Sequence, residues 1–196
     1  MDKGCKGVTV QDCVSLEPVS ITAGVRRFTY QIRGQLCLVQ RCFSDKGRHS
    51  FVLGGETASG PNVFLDCTAT RPYSSSEPHS HYSTGALYDN VSAPLTIRFW
   101  KEISIGWAGA NCVLWNCGGM FLVQKPPTAQ NYAIGHKGIH AMVFNTRYID
   151  YSKGNGFIES LDEHVQPRSL YLKQLEERLG KKAVRNVATS VQYNGM

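Results

Sequence analysis

The stretch Pro61-Asn62-Val63-Phe64-Leu65-Asp66-Cys67 decides the fold, because copies of it recur along the chain. Each copy is a short apolar run that is followed by a polar residue and a small closing residue. The copies follow one another at nearly even intervals, and their closing residues are Cys13, Cys42, Cys67, Val91, Cys117 and Thr146. A strand-like unit that recurs with a period in the twenties predicts a solenoid.

The aligned copies place one kind of residue in each column. The apolar column suits a buried strand and holds Val10, Val39, Phe64, Tyr88, Leu114 and Val143. The polar column is mostly Asp or Asn, which tolerate a left-handed backbone and close tight turns, and it holds Asp12, Arg41, Asp66, Asn90, Asn116 and Asn145. A strand, a turn and a small inward residue in every coil predict an all-β fold, a parallel β-helix of about five to six coils.

Two other solenoids fit this pattern less well. Leucine-rich repeats need a Leu-x-x-Leu-x-Leu frame, which the chain lacks. Stacked helix pairs are disfavoured because Gly or Pro interrupts the sequence every few residues up to about residue 140. The parallel β-helix is therefore the predicted architecture.

The character of the sequence changes after residue 146. Pro167 and Gly180 bracket a predicted helix at 167–179, since Pro is favoured at a helix start and Gly at its end. Leu172, Leu175 and Leu179 are spaced to share one face of this helix. We predict a β-helix domain at 1–150 and a C-terminal extension at 151–196 that packs on the solenoid.

Composition limits the partners of the chain. At 196 residues one domain is expected, and the net charge of +6 permits binding to nucleic acid, acidic lipid or acidic polysaccharide. No nucleic-acid recognition motif and no stretch as long as a membrane span occurs. The first residues lack the apolar segment of a signal peptide and run straight into a repeat without a cap. We therefore expect a monomer or the C-terminal part of a longer protein.

The seven cysteines point to stacked thiols rather than to disulfides. Their number is odd and four of them share the closing column, where stacked coils bring equivalent residues to about 4.8 Å. We expect a ladder of buried free thiols that behave as small hydrophobic residues. The paired spacing of a zinc site is absent. No metal or cofactor is expected, and Ca²⁺ stays open although the sequence shows no ligand cluster for it.

Four segments carry a family resemblance: GRHSFVL (47–53), GPNVFLDC (60–67), PPTAQNYAIG (126–135) and PRSLYL (167–172). They resemble right-handed parallel β-helix proteins of the pectate-lyase-like superfamily, over about residues 7–180 of the chain. The resemblance implies an extracellular or periplasmic protein that acts on uronic-acid polysaccharides as a lyase or, second, as a glycoside hydrolase. Relatives carry a His-His-Arg-Trp-like run where this chain has His79-Ser80-His81-Tyr82, and this departure bears on catalysis.

A polysaccharide lyase must neutralise a uronate carboxylate, remove the adjacent proton and protonate the leaving oxygen. Arg27, Glu56 and His81 each follow the closing residue of a copy at the same distance along the sequence, which places them on one flank in successive coils. We predict His81, or failing it His79, as the proton-transfer group, Tyr82 as a possible acid and Arg27 as the carboxylate anchor. The predicted substrate-binding residues are Arg26, Arg48, His49, Asn131 and Trp107.

Each of these residues has a structural alternative. Arg26 and Arg27 could pair with Glu56 or Asp45, His49 could be a hydrogen-bonded structural histidine, and the histidines of the Ser-rich loop could be plain surface residues. Asn131 fits a turn or a ladder, and Trp107 fits the core. A hydrolase with paired carboxylates is less favoured because no two acids cluster at positions facing one loop, although Asp45, Glu56 and Glu77 could converge in space.

Three functions are left open. The first is a lyase-type enzyme acting on an acidic polysaccharide. The second is a solenoid that binds glycan without turnover. The third is a C-terminal fragment of a larger polysaccharide-degrading enzyme.

Overall fold

The computed structural model describes residues 1–24, 26–54, 59–101, 105–140 and 148–195. The strands of these ranges are β1 (Thr9–Gln11), β2 (Val14–Ser15), β3 (Phe28–Ile32), β4 (Leu38–Gln40), β5 (Phe43–Asp45), β6 (His49–Leu53), β7 (Ser59–Leu65), β8 (Thr68–Thr70), β9 (Glu77–Pro78), β10 (Ser83–Asp89), β11 (Leu95–Ile97), β12 (Phe99–Trp100), β13 (Gly106–Trp107), β14 (Gly109–Ala110), β15 (Val113–Trp115), β16 (Phe121–Val123), β17 (Tyr132–Ile134) and β18 (Phe157–Glu159). The helices are α1 (Leu170–Val187) and α2 (Ser190–Asn194). None of the described helices is long and apolar enough to cross a membrane.

The main sheet is parallel and runs in the order β1-β4-β7-β10-β15-β17-β18, with β14 also paired to β10. Two smaller parallel sheets, β2-β5-β8 and β3-β6-β9, form further faces of the coil, and β11 pairs with β16. The strands β12 and β13 form an antiparallel pair. The protein is thus a parallel β-solenoid of about five turns with a short C-terminal helix, as the repeat predicts.

The predicted columns are confirmed for the first five copies. The apolar column stacks in register, with Val10 opposite Val39, then Phe64, Tyr88 and Leu114. The polar column has the predicted left-handed backbone, with φ of 57° at Asp12, 50° at Arg41, 51° at Asp66, 55° at Asn90 and 50° at Asn116. The repeat therefore marks both the strands and the turns that end them.

The sixth rung is formed by different residues. Val143, Asn145 and Thr146 of the predicted sixth copy lie outside the described residues. Ala133 in β17 stacks on Leu114, and Ile158 in β18 follows it. The main sheet therefore continues past residue 150, the predicted end of the β-helix domain.

The closing column is a thiol ladder, as predicted. All seven cysteines are free, and Cys42, Cys67 and Cys117 are buried. Cys13 differs because it belongs to the first rung and is exposed. The core around the ladder is aromatic, and the rings of Phe64 and Tyr88 stack with their centroids 5.0 Å apart.

The helix α1 packs on the outer face of the main sheet. Leu172 and Val184 are buried against Leu38, Val63 and Leu65 of β4 and β7. The helix begins at the N-cap Ser169, and Gly180, with a non-helical φ of 79°, ends its first segment as the sequence predicts; a second helical segment continues beyond this kink to Val187.

The predicted apolar face of α1 is correct in part. Leu172 is buried and Leu175 packs beside it. Leu179 is 71% exposed, so it is not part of the packed face. The helix covers the main sheet with its first turns and with the segment beyond Gly180.

We predict that Phe64→Ala destabilises the protein by about 3–5 kcal/mol, because Phe64 is fully buried between stacked rungs. Urea unfolding followed by circular dichroism measures the loss. Val14→Ala is the matched control, since Val14 is 66% exposed on the first rung. A loss below about 1 kcal/mol at Phe64 would contradict its place in the core.

Candidate functional site

A cleft of ≈ 510 Å³ opens beside the sheet of β3, β6 and β9. Three successive coils supply its polar side chains: Arg48 and His49 come from the start of β6, His79 follows β9, and Arg98 follows β11. The lining also includes aromatic and hydroxyl side chains, namely Thr22, Tyr73, Ser74, Ser75, Trp100 and Tyr148. The stacking of the coils therefore brings together residues that are far apart in the sequence.

A buried carboxylate, Glu77, lies at the centre of this cluster. One oxygen, Oε1, accepts a hydrogen bond of 2.7 Å from Nδ1 of His79. The other, Oε2, accepts from Thr96 Oγ1 at 2.7 Å and from Arg98 Nε at 3.1 Å, and Arg98 Nη2 lies 3.0 Å away. Ser75 Oγ also donates to Oε2 at 3.0 Å, and Glu77 is 0% exposed, so protein groups alone surround its negative charge.

The charge balance keeps Glu77 ionised. Burial by itself raises the pKa of this carboxyl group, but the positive charge of Arg98 opposes that effect most strongly. The neighbouring His49 and His79 act in the same direction as Arg98. The net result is a Glu77 pKa well below its ordinary value.

Hydrogen bonds assign the tautomers of both histidines. His49 Nδ1 lies 2.6 Å from the carbonyl oxygen of Ser75, and His79 Nδ1 lies 2.7 Å from the Glu77 carboxylate. Carbonyl and carboxylate oxygens only accept hydrogen bonds, so Nδ1 carries the proton in both rings. In the neutral rings Nε2 is therefore the basic nitrogen.

The two histidines differ in accessibility. The His49 side chain is 1% exposed and that of His79 is 15% exposed. Burial lowers the pKa of His49 to about 4, so this ring is neutral at neutral pH. His79 is therefore the histidine that a ligand in the cleft can reach.

The two arginines of the cleft differ in whether their guanidinium groups are already paired with a carboxylate. Arg98 is committed to Glu77 and its guanidinium carbon lies 3.7 Å from the ring centroid of Trp100. The guanidinium of Arg48 lies over the ring of Phe28 at 5.7 Å. Its buried Nη1 has no hydrogen-bond partner within the described part of the chain. Arg48 is thus the cation that is ready to bind an anion.

The same cluster has the residue types of a metal site, because His49, Glu77 and His79 each have a ligand atom within 4.8 Å of the others. Two imidazoles and a carboxylate suit a transition metal. Here both Nδ1 atoms donate protons, and Arg98 binds the carboxylate at Oε2. The arrangement is therefore that of a hydrogen-bonded ion cluster, which a cation would have to disrupt.

The predicted catalytic residues of the turn lie elsewhere. His81 is in a left-handed turn with a φ of 59°, and its Nδ1 bonds to Ser80 Oγ at 2.8 Å. The Tyr82 hydroxyl donates to the carbonyl oxygen of Pro127 at 3.0 Å. Neither residue lines the cleft. Of the predicted proton-transfer groups, only His79 does.

The predicted arginine anchor is also outside the cleft. Arg27 directly precedes β3, whereas His81 lies between β9 and β10, so their shared distance from the closing residues does not place them at equivalent positions of the coils. Arg27 Nε donates to the carbonyl of Ser20, and its guanidinium lies 5.5 Å from the ring centroid of Tyr73. Arg26 is exposed. Neither of these two arginines is among the lining residues.

The alternative ion pair of Arg27 is only partly described. Glu56 lies outside the described residues. Asp45 is bound by Arg71. The Asp45 carboxylate is therefore engaged by a different arginine from the two that the sequence suggested.

Two further predicted binding residues have structural roles. Asn131 is buried, and its side chain accepts from Cys112 N at 3.0 Å and donates to the carbonyl oxygens of Gly109 and Gln124. Asn131 is thus the ladder asparagine that the sequence left open. Trp107 packs edge to face on Phe99, with centroids 5.4 Å apart.

Sequence reasoning did not identify Glu77, Arg98 and Trp100 as site residues. Glu77 stood out only as an acid that could converge with others in space. The register of β6 and β9 places Glu77 opposite Val52, and its carboxylate reaches to 3.4 Å from His49 Nδ1. That register depends on coil lengths, which the repeat does not determine.

Comparison of the chain with models of known protein families, with curated proteins and with solved structures found no match.

We predict that acidification destabilises the protein through His49. Its pKa falls from 6.5 to about 4 on folding, so the unfolded chain binds more protons within this window. Stability is present above pH 6.5 and decreases by roughly 3 kcal/mol as the pH falls towards 4. His49→Gln should lack this loss, as measured by urea unfolding at several pH values.

The contribution of Asp89 to the pH dependence of stability must be separated from that of His49. Burial raises its pKa to about 6, so Asp89 favours the folded state towards low pH and opposes His49 in an overlapping window. Because Asp89 is present in both proteins, the difference between their profiles isolates His49. Parallel profiles for the two proteins would contradict the prediction.

Proposed function

We propose that the cleft binds an acidic polysaccharide and cleaves it by β-elimination, with His79 as the proton-transfer group. The observation that carries the proposal is the hydrogen bond from His79 Nδ1 to the buried, ionised Glu77. It leaves Nε2 of a partly exposed ring as a base. A carboxylate that orients an imidazole in this way is a common basis of acid–base catalysis.

Arg48 is the proposed anchor for a uronate carboxylate. Its Nη1 is a buried donor without a partner in the described part of the chain, and it lines the same cleft as His79. A guanidinium can hold a carboxylate by charge and by paired hydrogen bonds. The same contact would stabilise the negative charge that develops when the adjacent carbon loses its proton.

The proposed reaction is a β-elimination with two proton transfers, one from the sugar carbon and one to the leaving oxygen. His79 Nε2 takes the proton from the carbon next to the carboxylate. The electron pair forms a carbon–carbon double bond while the bond to the leaving glycosidic oxygen breaks. That oxygen takes a proton from an acid, for which the Tyr73 phenol at the cleft is the candidate.

Trp100 supports binding of a sugar ring in the same cleft. Its indole Nε1 is buried and has no hydrogen-bond partner among the described residues. An unpaired N–H at the wall of a cleft is a donor for a hydroxyl or carboxylate oxygen. An extracellular or periplasmic location is part of this proposal, because acidic polysaccharides are polymers of that environment.

Glycan binding without turnover is the second candidate. Tyr82, the acid suggested by the sequence, donates its hydroxyl to Pro127 and does not line the cleft. If Tyr73 does not protonate the leaving oxygen, the cleft has an anchor and a base without an acid, and it would bind an acidic glycan and release it unchanged.

We predict that His79→Ala lowers turnover by a factor on the order of 10² to 10⁴ while binding is retained. Arg48→Ala should weaken binding as well, since the carboxylate loses its cation. Absorbance of the unsaturated product is followed on a panel of uronic-acid polysaccharides, and binding is measured by calorimetry. The matched controls are His164→Ala and Arg178→Ala, which alter exposed residues of the same type.

The competing assignment is tested in the same experiment. If His81→Ala abolishes turnover and His79→Ala does not, the turn histidine is the base and the assignment to His79 is wrong. Salt-dependent binding without product from any polymer would establish the noncatalytic candidate. Binding that is insensitive to Arg48→Ala would contradict the cleft as the binding site.

A further inference from the structure

One cysteine of the first rung and one of the second rung are placed to react with each other. Gln11 lies opposite Gln40 and Val14 lies opposite Phe43, so Cys13 and Cys42 are equivalent residues of adjacent rungs. Adjacent rungs stack about 4.8 Å apart. This spacing is within the range of about 4.4–6.8 Å between Cα atoms that a disulfide can bridge.

The two sulfur atoms have matching orientations. Cys13 Sγ lies 3.2 Å from the carbonyl oxygen of Gln11, and Cys42 Sγ lies 3.3 Å from that of Gln40. Each thiol thus points towards the carbonyl two residues before it. Cys42 Sγ also lies 3.9 Å from the carbonyl oxygen of Val10 in the first rung. Small rotations about the Cα–Cβ bonds can therefore bring the sulfurs together.

Accessibility distinguishes this pair from the rest of the ladder. Cys13 is exposed, whereas Cys42 is 2% and Cys67 is 0% exposed. A reagent therefore reaches Cys13 first, and Cys42 is the neighbour that can attack next.

The local hydrogen bonds also favour a reactive Cys42. The thiol of Cys67, and to a lesser degree that of Cys13, lowers the pKa of Cys42 to about 6 against the opposing effect of burial. Burial raises the pKa of Cys67, which therefore stays a thiol. Cys42 is thus the more acidic of these two thiols, and thiolates are the nucleophiles of disulfide exchange.

We propose that Cys13 and Cys42 are a redox-active pair that forms a disulfide between the first and second rungs. With oxidised glutathione, the Cys13 sulfur attacks the disulfide, and one glutathione leaves with the proton of Cys13. The Cys42 thiolate then attacks the Cys13 sulfur and expels the second glutathione, which takes a proton from water. Two cysteines are oxidised and one glutathione disulfide is reduced to two glutathione molecules.

The disulfide would link the first coil, whose apolar side chains are largely exposed, to the second coil. The residues Val14, Leu16, Val19 and Ile21 of the first coil are all more than half exposed. The same coil contributes Thr22 to the cleft. The disulfide would therefore stabilise the coil that borders the cleft, whatever ligand the cleft binds.

The test uses Cys5→Ser as the starting protein, because Cys5 is partly exposed and would react separately. After incubation with oxidised glutathione, this protein should carry no adduct, lose two free thiols and yield a peptide that links Cys13 to Cys42. With Cys42→Ser added, one glutathione should stay attached to Cys13. With Cys13→Ser added, the protein should stay reduced. Cys37→Ser is the control for a buried cysteine outside the ladder and should behave like the starting protein.

Two outcomes would overturn the proposal that Cys13 and Cys42 form a disulfide. In the first, Cys5→Ser keeps glutathione on Cys13 while Cys42 stays free. In the second, the linked peptide joins Cys42 to Cys67. Peptide mapping of the unsubstituted protein gives the same answer, so the conclusion does not depend on whether a serine variant folds.

Discussion

Backbone hydrogen bonding between parallel rungs is the interaction on which the rest of the structure depends. It continues through the turns: Asp66 N donates to Asp89 O and Asn90 N donates to Trp115 O, both at 2.9 Å. The left-handed residue that ends each strand is thus also part of the ladder. Because neighbouring strands of the main sheet pair in register, apart from a shift between Thr84 and Ala86, equivalent side chains stack on one another. The aromatic core, the thiol ladder and the ion cluster of the cleft all follow from that stacking.

The sequence predicts the fold correctly for those copies of the repeat that keep the apolar, polar and small residues of the three columns. The sixth rung was missed because its apolar residue is the small Ala133 and its turn is formed by Gly135, with a φ of 69°. Neither residue resembles the earlier copies. The ladder asparagine Asn131, which repeats the role of Asn62, was visible in the sequence but had no register to support it.

The candidate site was predicted less well for a physical reason. Arg48, His49 and His79 were identified by residue type, and the structure brings them to one cleft. The common distance from the closing residues selected Arg27 and His81, which lie at different places in the coil, Arg27 before β3 and His81 after β9. Contacts between coils depend on the lengths of the connecting loops. Glu77 and Arg98 meet only because those lengths match, and no local pattern records this.

The N-terminal end of α1 has a consequence for how the solenoid unfolds. Arg168 binds Asp66, Ser169 Oγ donates to Asp89 at 2.8 Å, and Asn116 Nδ2 donates to the Arg168 carbonyl at 3.0 Å. These partners belong to three successive rungs. Repeat proteins whose units contact only their neighbours can fray from an end. Because the segment before α1 contacts three rungs at once, it couples their opening. The middle of this solenoid should therefore unfold as one cooperative unit, while the first rung frays independently.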